Sequence, residues 1–213
     1  MNVKCAKDSI AQDYLQKDFF IIYVNKEWNS TYEIVSTDKS NNIYKLTLNS
    51  NSGKLPATSS TKKFTTGKLV GTLPNPTRQG YYFKGWYTSK TGGSKITSST
   101  RYYYMSNKTL YVRWEKVSVS KASISKLTLP DSKQIKVYTK SVSNAKGYEI
   151  VYSTSSKFSS STTKKISTIS TSKTLTSLQK KKTYYIKVRV YKIDSSNKKI
   201  YGSYSTVKYV KTK

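Results

Sequence analysis

The 213-residue sequence has no histidine and one cysteine, Cys5. Without histidine it lacks the commonest general base, the Ser–His and Cys–His nucleophilic pairs and the imidazole ligands of most zinc sites. A single cysteine permits no disulfide within the chain, and it fits a cytosolic and an exported protein equally well. We therefore expect neither a bound metal nor a cofactor.

Acidic residues are scarce: ten Asp and Glu stand against 39 Lys and Arg. Six of the ten lie before residue 45, and the remaining Glu115, Asp131, Glu149 and Asp194 are widely spaced. The paired carboxylates of a glycosidase cannot be assembled from them. No glycine-rich phosphate loop follows a strand and opens a helix. We therefore expect that the chain is not an enzyme.

Long apolar runs are also absent. The longest, residues 19–24, is far short of a membrane span or of a signal-peptide core. Residues 1–43 predict a short helix within residues 5–19 and strands at 19–24 and 31–35, a mixed α/β segment. We interpret it as the remnant of another domain or a linker. We hypothesise that the natural protein extends upstream, with a signal peptide and further modules.

The basic charge lies downstream of residue 44. Residues 1–44 hold 5 basic and 6 acidic residues, residues 45–116 hold 13 and 1, and residues 117–213 hold 21 and 3, which gives −1, +12 and +18 and sums to +29. Such a field attracts polyanions and weakens as salt screens it. The alternative is a solubilising lysine coat that also blocks strand-edge pairing. Both interpretations stay open at this point.

Residues 44–116 are organised around the stretch GTLPNPTRQGYYFKGWYTSKTGGSKIT, which begins at Gly71. Gly71–Pro76 predict a turn, Gly80 a tight reversal and Thr91–Gly93 a hairpin. Alternating side chains predict strands at residues 44–48 and 109–114, which suits a chain with 20 tyrosines.

Trp86 follows Gly85, where the missing side chain lets the backbone pass closely. A tryptophan in this setting fills a core more often than it forms a ligand platform, so we interpret Trp86 as core. Trp114 shares a strand face with Leu110 and Val112 and is expected to pack in the same core.

The run Arg101-Tyr102-Tyr103-Tyr104 follows the hairpin. Alternation would bury Tyr103 and expose Tyr102 and Tyr104 beside Arg101. Exposed rings beside a cation can stack on sugars or bases. A solvated tyrosine-rich strand face is the simpler interpretation.

The pieces LTLNSNSG, LPNPTRQGYYFKGWYT, GGSKIT and NKTLYVRW occur in this order within residues 44–116. Together they resemble the internalin-type B repeat, also called the Listeria–Bacteroides repeat. The resemblance implies a small β-grasp-like module, found on exported bacterial proteins and used for display, spacing and binding. Ser52-Gly53 departs from the paired glycines that the family usually has after its first strand.

Residues 117–213 contain short alternating strands separated by polar turns, which predicts a β-sandwich. Over nearly their full length they resemble a bacterial fibronectin type III domain. The resemblance places Gly147 and Tyr148 in the third strand. It also makes Tyr184 a tyrosine corner whose hydroxyl bonds to upstream backbone. Thr139 stands where the family commonly has a core tryptophan, so we expect a less well-filled core.

Two lysine groups are the candidate polyanion-binding residues, together with Arg101. Lys180, Lys181 and Lys182 lie in the loop before the tyrosine-corner strand. Lys198 and Lys199 lie in a hairpin near the end of the chain. In a sandwich these loops can lie at opposite ends, so they need not form one patch.

The sequence therefore predicts a mainly β, monomeric, non-catalytic module protein at the surface of a Gram-positive bacterium or secreted from it. Display, adhesion or cell-wall association would rest on a basic surface that binds teichoic acid or a host glycosaminoglycan. The alternative is an accessory part of a larger exported hydrolase. Specific nucleic-acid binding explains only the charge, because no recognition helix or RNA-binding motif is present.

Overall fold

The computed structural model describes residues 43–104 and 106–213 in full, together with the backbone of residues 20–23 and 32–35. All regular elements among these residues are strands, so the predicted mainly β class is confirmed. The predicted helix within residues 5–19 lies outside the described residues. The strands are β1 (Phe20–Tyr23), β2 (Tyr32–Val35), β3 (Ile43–Asn49), β4 (Thr61–Thr65), β5 (Tyr81–Tyr87), β6 (Lys95–Ile96), β7 (Lys108–Lys116), β8 (Ile124–Thr128), β9 (Ile135–Thr139), β10 (Gly147–Ser153), β11 (Lys164–Thr168), β12 (Ser172–Leu175), β13 (Thr183–Ile193), β14 (Lys199–Tyr201) and β15 (Lys208–Lys211).

Strands β1 and β2 pair antiparallel, with Phe20 opposite Val35 and Tyr23 opposite Tyr32. Both strands were expected from the apolar residues at 19–24 and 31–35, and their presence is confirmed.

A five-stranded mixed sheet has the order β4-β3-β7-β5-β6. Its centre is the parallel pair β3 and β7, in which Leu46 lies beside Lys108 and Leu48 beside Leu110. Strands β4 and β6 extend the sheet antiparallel to β3 and β5. Strands β3 and β7 are the first and last of this sheet along the chain, and their parallel pairing at its centre is the β-grasp-like arrangement that the resemblance implies.

The turns of this sheet agree with the sequence at two places and differ at a third. Gly92 and Gly93 adopt φ of 64° and 70° in the β5–β6 hairpin, and Gly80 adopts 79° where the Tyr81 N–H donates to the Arg78 carbonyl. The turn predicted at residues 71–76 is wrong, because these residues form no turn. Pro74 and Pro76 fix their own φ and keep the residues before them extended, so this segment runs on without a turn.

Two further sheets face each other as a sandwich. One has the order β12-β9-β8, and the other has β11-β10-β13-β14 with β15 also paired to β13. Buried side chains from both sheets form one core, and those that are fully buried include Ile135, Val137, Ile186, Val188 and Val190. This is the architecture that the resemblance to fibronectin type III domains implies.

Strand β13 is the central element of the larger sheet. Tyr184, Ile186, Val188 and Val190 alternate into the core, so Tyr185, Lys187, Arg189 and Tyr191 project from the outer face.

The chain divides into two compact units. The second comprises Ser52–Lys54, Pro76–Lys84 and Trp114–Lys213, and the first contains residues 43–51, Leu55–Asn75 and Gly85–Arg113. The domain boundaries at residues 43/44 and 116/117 stay predictions from the sequence.

Candidate polyanion-binding site

Glu149 is engaged by the side chains around it. Its Oε1 lies 2.8 Å from both Nε and Nη2 of Arg189 and accepts a hydrogen bond from the Tyr204 hydroxyl at 3.1 Å. Burial acts to raise the pKa of Glu149, but the hydrogen bonds and the positive charge of Arg189 outweigh it and lower the pKa. The carboxylate therefore stays ionised and neutralises Arg189.

Asp194 is held by backbone donors of the second unit. It accepts hydrogen bonds from the N–H groups of Gly80 at 2.7 Å, Ser196 at 2.8 Å and Lys198 at 2.9 Å. Burial again opposes ionisation of Asp194, and these hydrogen bonds lower its pKa below the ordinary value. Peptide N–H groups thus satisfy most of the hydrogen-bonding capacity of the carboxylate, and the charge of Lys198 also lowers its pKa.

The other two acidic residues after position 44 are engaged as well. Glu115 pairs with Lys84 at 2.6 Å, and Asp131 accepts a hydrogen bond from the Ser132 hydroxyl at 3.0 Å. That hydrogen bond and the Ser132 N–H lower the pKa of Asp131. Residues 45–213 carry 34 Lys and Arg against these four carboxylates, so most of the cations have no acidic side chain to neutralise them.

The predicted lysines of the loop before β13 are tied to the end of the chain. The Lys181 N–H donates to the Lys213 carbonyl at 3.3 Å, and the Lys182 N–H donates to the Thr212 hydroxyl at 3.1 Å. The Thr212 N–H returns a hydrogen bond to the Lys182 carbonyl at 3.0 Å. These contacts bring the lysines of β15 and of the last residue to the same end of the sandwich.

The segment that carries Lys133 lies at the same end of the sandwich, because the Leu178 N–H donates to the Lys133 carbonyl at 3.1 Å. The result is one group of six exposed lysines, here called the lysine end: Lys133, Lys180, Lys181, Lys182, Lys211 and Lys213. Sequence reasoning found only the three in the loop. The signal for Lys211 and Lys213 was available, because a last strand antiparallel to β13 must end beside the point where β13 begins.

The other predicted lysines lie elsewhere. Lys198 and Lys199 follow the far end of β13, and Lys199 pairs with Ile193 at the start of β14. Strand β13 has 11 residues, which is about 33 Å at the usual rise per residue. The two predicted lysine groups therefore occupy opposite ends of the sandwich and cannot form one patch.

Arg101 belongs to the first unit, and it is exposed. Its Nη1 donates to the Gly67 carbonyl at 3.0 Å, and its backbone bridges to Leu69. Part of its hydrogen-bonding capacity is thus committed to the local fold.

The prediction for the tyrosines after Arg101 is wrong. Tyr102 is 3% exposed and packs edge-on against Phe64 at 5.0 Å, whereas Tyr103 and Tyr104 are half-buried. Residues 102–104 are not in a strand, so the alternation on which the prediction rested does not apply. The Tyr102 N–H donates to the Lys68 carbonyl and turns that ring inward.

The structural residues of the five-stranded sheet lie as follows. Trp86 is 2% exposed, and its Nε1 donates to the Pro74 carbonyl at 2.9 Å. Gly85 has φ of 128°, and a Cβ there would lie 2.6 Å from Cε of Lys95. Trp114 is half-buried, with its ring centroid 6.0 Å from that of Phe83.

The structural residues of the sandwich fix backbone through their hydroxyl groups. Tyr148 is 3% exposed and accepts a hydrogen bond from the Val142 N–H at 3.1 Å. Tyr184 accepts one from the Gln179 N–H at 3.0 Å, which is the tyrosine-corner contact that the resemblance implies. The predicted weak point, Thr139, is buried and donates its hydroxyl to the Thr171 carbonyl.

The mixed sheet with its central parallel pair coincides with one known repeat family. Residues 44–112 match the Listeria–Bacteroides repeat domain. This repeat domain contains β3 to β6 and most of β7, including Gly85 and Trp86. Modules of this kind are typically non-catalytic and common in extracellular proteins.

The sandwich is similar to fibronectin type III domains of solved structure. The sixth such domain from human fibronectin type III domain containing protein 3 is 13% identical, with a TM-score of 0.36, and the match covers 46% of this chain and 89% of that one. The FN5 domain of Drosophila Lar is 23% identical, with a TM-score of 0.36 and coverage of 45% and 97%. The fn3 domain of human contactin 1 is 19% identical, with a TM-score of 0.36 and coverage of 45% and 83%.

Residues 43–104 and 106–213 contain no group of three or more His, Cys, Asp or Glu that could hold a metal ion. In the same part of the chain, no helix is long and apolar enough to cross a membrane.

Proposed function

We propose that the chain is a non-catalytic module of a cell-surface or secreted protein that binds polyanions through its basic surface. Display, adhesion or association with the cell wall would follow from this binding. The observation that carries the proposal is the lysine end, where backbone hydrogen bonds hold three lysine-bearing segments together.

Gathering like charges costs free energy, because exposed ammonium groups repel one another when they are closer than the screening length of about 10 Å. Asp131 interacts electrostatically with Lys180 and offsets part of this repulsion, whereas Glu115, Glu149 and Asp194 are engaged elsewhere and do not. A bound polyanion would relieve it. A solubilising coat needs a net charge of only about 2–8 for a small domain, and residues 117–213 alone carry +18.

The partner that this surface suits is a flexible polymer with many anionic groups. Teichoic acid of a Gram-positive wall and a host glycosaminoglycan both meet this description. Because the lysines act as exposed point charges, binding is expected to weaken steeply as salt is added and to depend little on ligand stereochemistry.

Sedimentation with Gram-positive cell walls tests the proposal. The full chain is mixed with walls that are intact or stripped of teichoic acid, at low and at physiological salt. We expect retention on intact walls at low salt, release by salt and loss on stripped walls. A glycosaminoglycan column provides the corresponding measurement for a host ligand.

Two variants with the same loss of charge make the test specific. One combines Lys180→Gln, Lys181→Gln and Lys182→Gln, and the control combines Lys121→Gln, Lys126→Gln and Lys140→Gln, three exposed lysines outside the lysine end. The first should weaken retention more than the control. No retention of the unmodified chain on walls or column at low salt would refute polyanion binding.

A further inference from the structure

A second basic surface covers the outer face of the sheet β11-β10-β13-β14. Alternation on β13 directs Lys187, Arg189 and Tyr191 outward, and residues of the neighbouring strands and loops surround them. All of these residues belong to the second unit. This surface, here called the aromatic–cation face, comprises Phe158, Lys165, Lys187, Arg189, Tyr191, Lys199, Tyr201 and Tyr204.

Cations and rings alternate across this face. The Lys187 Nζ lies 4.0 Å from the ring centroid of Phe158 and 4.7 Å from that of Tyr204. The Arg189 Cζ lies 3.7 Å from the centroid of Tyr201 and 4.7 Å from that of Tyr204. A cation over a ring face is attracted by the ring quadrupole, so these side chains are held in place before any ligand arrives.

Lys199 adds a further cation–ring contact to this face. Its Nζ lies 4.3 Å from the ring centroid of Tyr191 and 3.4 Å from the Ser167 hydroxyl on β11. Tyr191 in turn lies over Gly147, where a Cβ would be 2.5 Å from its hydroxyl oxygen. The lysine side chain therefore crosses the sheet from β14 towards β11.

The charges that remain available are those of the lysines. Glu149 pairs with Arg189 and also interacts electrostatically with Lys165; Lys165 and Lys199 are exposed and Lys187 is half-buried. Lys165 and Lys187 both pair with Val151, so they stand on either side of β10, about 10 Å apart at the usual strand spacing. The face thus offers two lysines held in place, Lys187 and Lys199, together with the exposed Lys165, and neutral rings and hydroxyl groups separate them.

We propose that the aromatic–cation face binds an unbranched acidic polysaccharide, whose carboxylate or sulfate groups meet the lysines while its sugar hydroxyls meet the tyrosine and serine hydroxyls. The inference rests on the proposed polyanion-binding function and assigns it a ligand class and a second surface. Single-stranded nucleic acid is disfavoured because it binds through bases that stack on open ring faces. Here the ring faces of Phe158, Tyr191, Tyr201 and Tyr204 are covered by cations.

Titration of the full chain with four probes tests the inference: heparin oligosaccharide, hyaluronan, purified teichoic acid and polyuridylate. The face variant combines Lys165→Gln, Lys187→Gln and Lys199→Gln, and the control is again Lys121→Gln, Lys126→Gln and Lys140→Gln. We expect the face variant to bind heparin about tenfold more weakly than the control, because fixed charges contribute more than mobile ones. Equal losses in the two variants would overturn the inference and leave diffuse polyanion binding intact.

A second variant removes the support of a cation without removing charge. Phe158→Ala removes the nearer of the two rings that hold Lys187 at unchanged net charge, and we expect about threefold weaker binding to heparin. Unchanged affinity would contradict the role of the rings. Amide hydrogen exchange of Ile186 and Val188 confirms that each variant stays folded.

The remaining outcomes separate the ligand classes and the two surfaces. Loss of teichoic acid binding as large as the loss of heparin binding would overturn the assignment to polysaccharide, as would tighter binding of polyuridylate than of heparin. If the lysine-end variant leaves wall retention unchanged while the face variant loses heparin, the site given under the proposed function fails and the aromatic–cation face stands.

Discussion

Gly147 occupies a position where any side chain would clash with neighbouring atoms. A Cβ built there lies 2.5 Å from the hydroxyl oxygen of Tyr191 and 2.7 Å from the backbone carbonyl oxygen of Thr168. Ordinary contacts are about 3.5–4.0 Å, so Gly147→Ala should cost about 1–3 kcal/mol by overpacking. The carbonyl belongs to strand β11, so a rotamer change cannot remove that clash.

The sign of the effect makes the prediction sharp. Where a glycine has an ordinary φ and open space around it, replacing it by alanine stabilises a protein by about 0.4–1 kcal/mol, because it lowers the conformational entropy of the unfolded chain. Because of the clash, we expect Gly147→Ala to destabilise the protein instead. Amide exchange of Ile186, Val188 and Val190, whose side chains are fully buried in the core, should speed up by about tenfold to a hundredfold.

A double-mutant cycle with Tyr191→Ala tests whether the Tyr191 side chain causes the clash. Tyr191→Ala removes two of the three atoms nearest to the added Cβ and leaves the Thr168 carbonyl, so in this background Gly147→Ala should cost less than it does in the unmodified chain. An equal cost in both backgrounds would show that Tyr191 is not the obstacle. Unchanged or slower exchange in Gly147→Ala alone would refute the steric reasoning.

Three further predictions concern stability. Tyr184→Phe removes the acceptor of the Gln179 N–H and should cost about 1–2 kcal/mol in urea denaturation; no change would mean that water replaces the hydroxyl. Trp86→Ala should cost about 3–5 kcal/mol, because the indole is 2% exposed, and tryptophan fluorescence of the remaining residues reports the loss. The third concerns pH: Glu149 and Asp194 have folded-state pKa values below the ordinary ones. Their stabilisation is complete above the unfolded-state pKa of about 4 and is lost as the pH falls through the folded-state pKa, so acid unfolding of Glu149→Gln should show a shallower pH dependence.

The lysine end shows where sequence reasoning stopped. Lys180, Lys181 and Lys182 are adjacent in the sequence, so their clustering needs no structure. Lys133 and Lys213 join them only through backbone hydrogen bonds between segments that are distant along the chain. Local patterns carry no information about which loops a sheet brings together, and that is why half of the group was missed.

The tyrosines after Arg101 illustrate a different limit. Alternation predicts facing only inside a strand, and residues 102–104 lie outside one. The Tyr102 ring is buried against Phe64, and the Tyr102 N–H donates to the Lys68 carbonyl, so its burial depends on the path of residues that are distant along the chain. The burial of Leu110 and Val112, which do lie in a paired strand, was predicted correctly.

By itself the sequence determined the mainly β class, the repeat and the excess of basic charge. It did so because strand periodicity, turn residues and charge are local or additive properties. Only the tertiary structure decided where the charge is concentrated and which cations are fixed. The folded chain places Lys187 between the rings of Phe158 and Tyr204, which lie outside the strands, and pairs Arg189 with Glu149 on the neighbouring strand. Those partners come from separate elements, and their meeting is a property of the folded sheet.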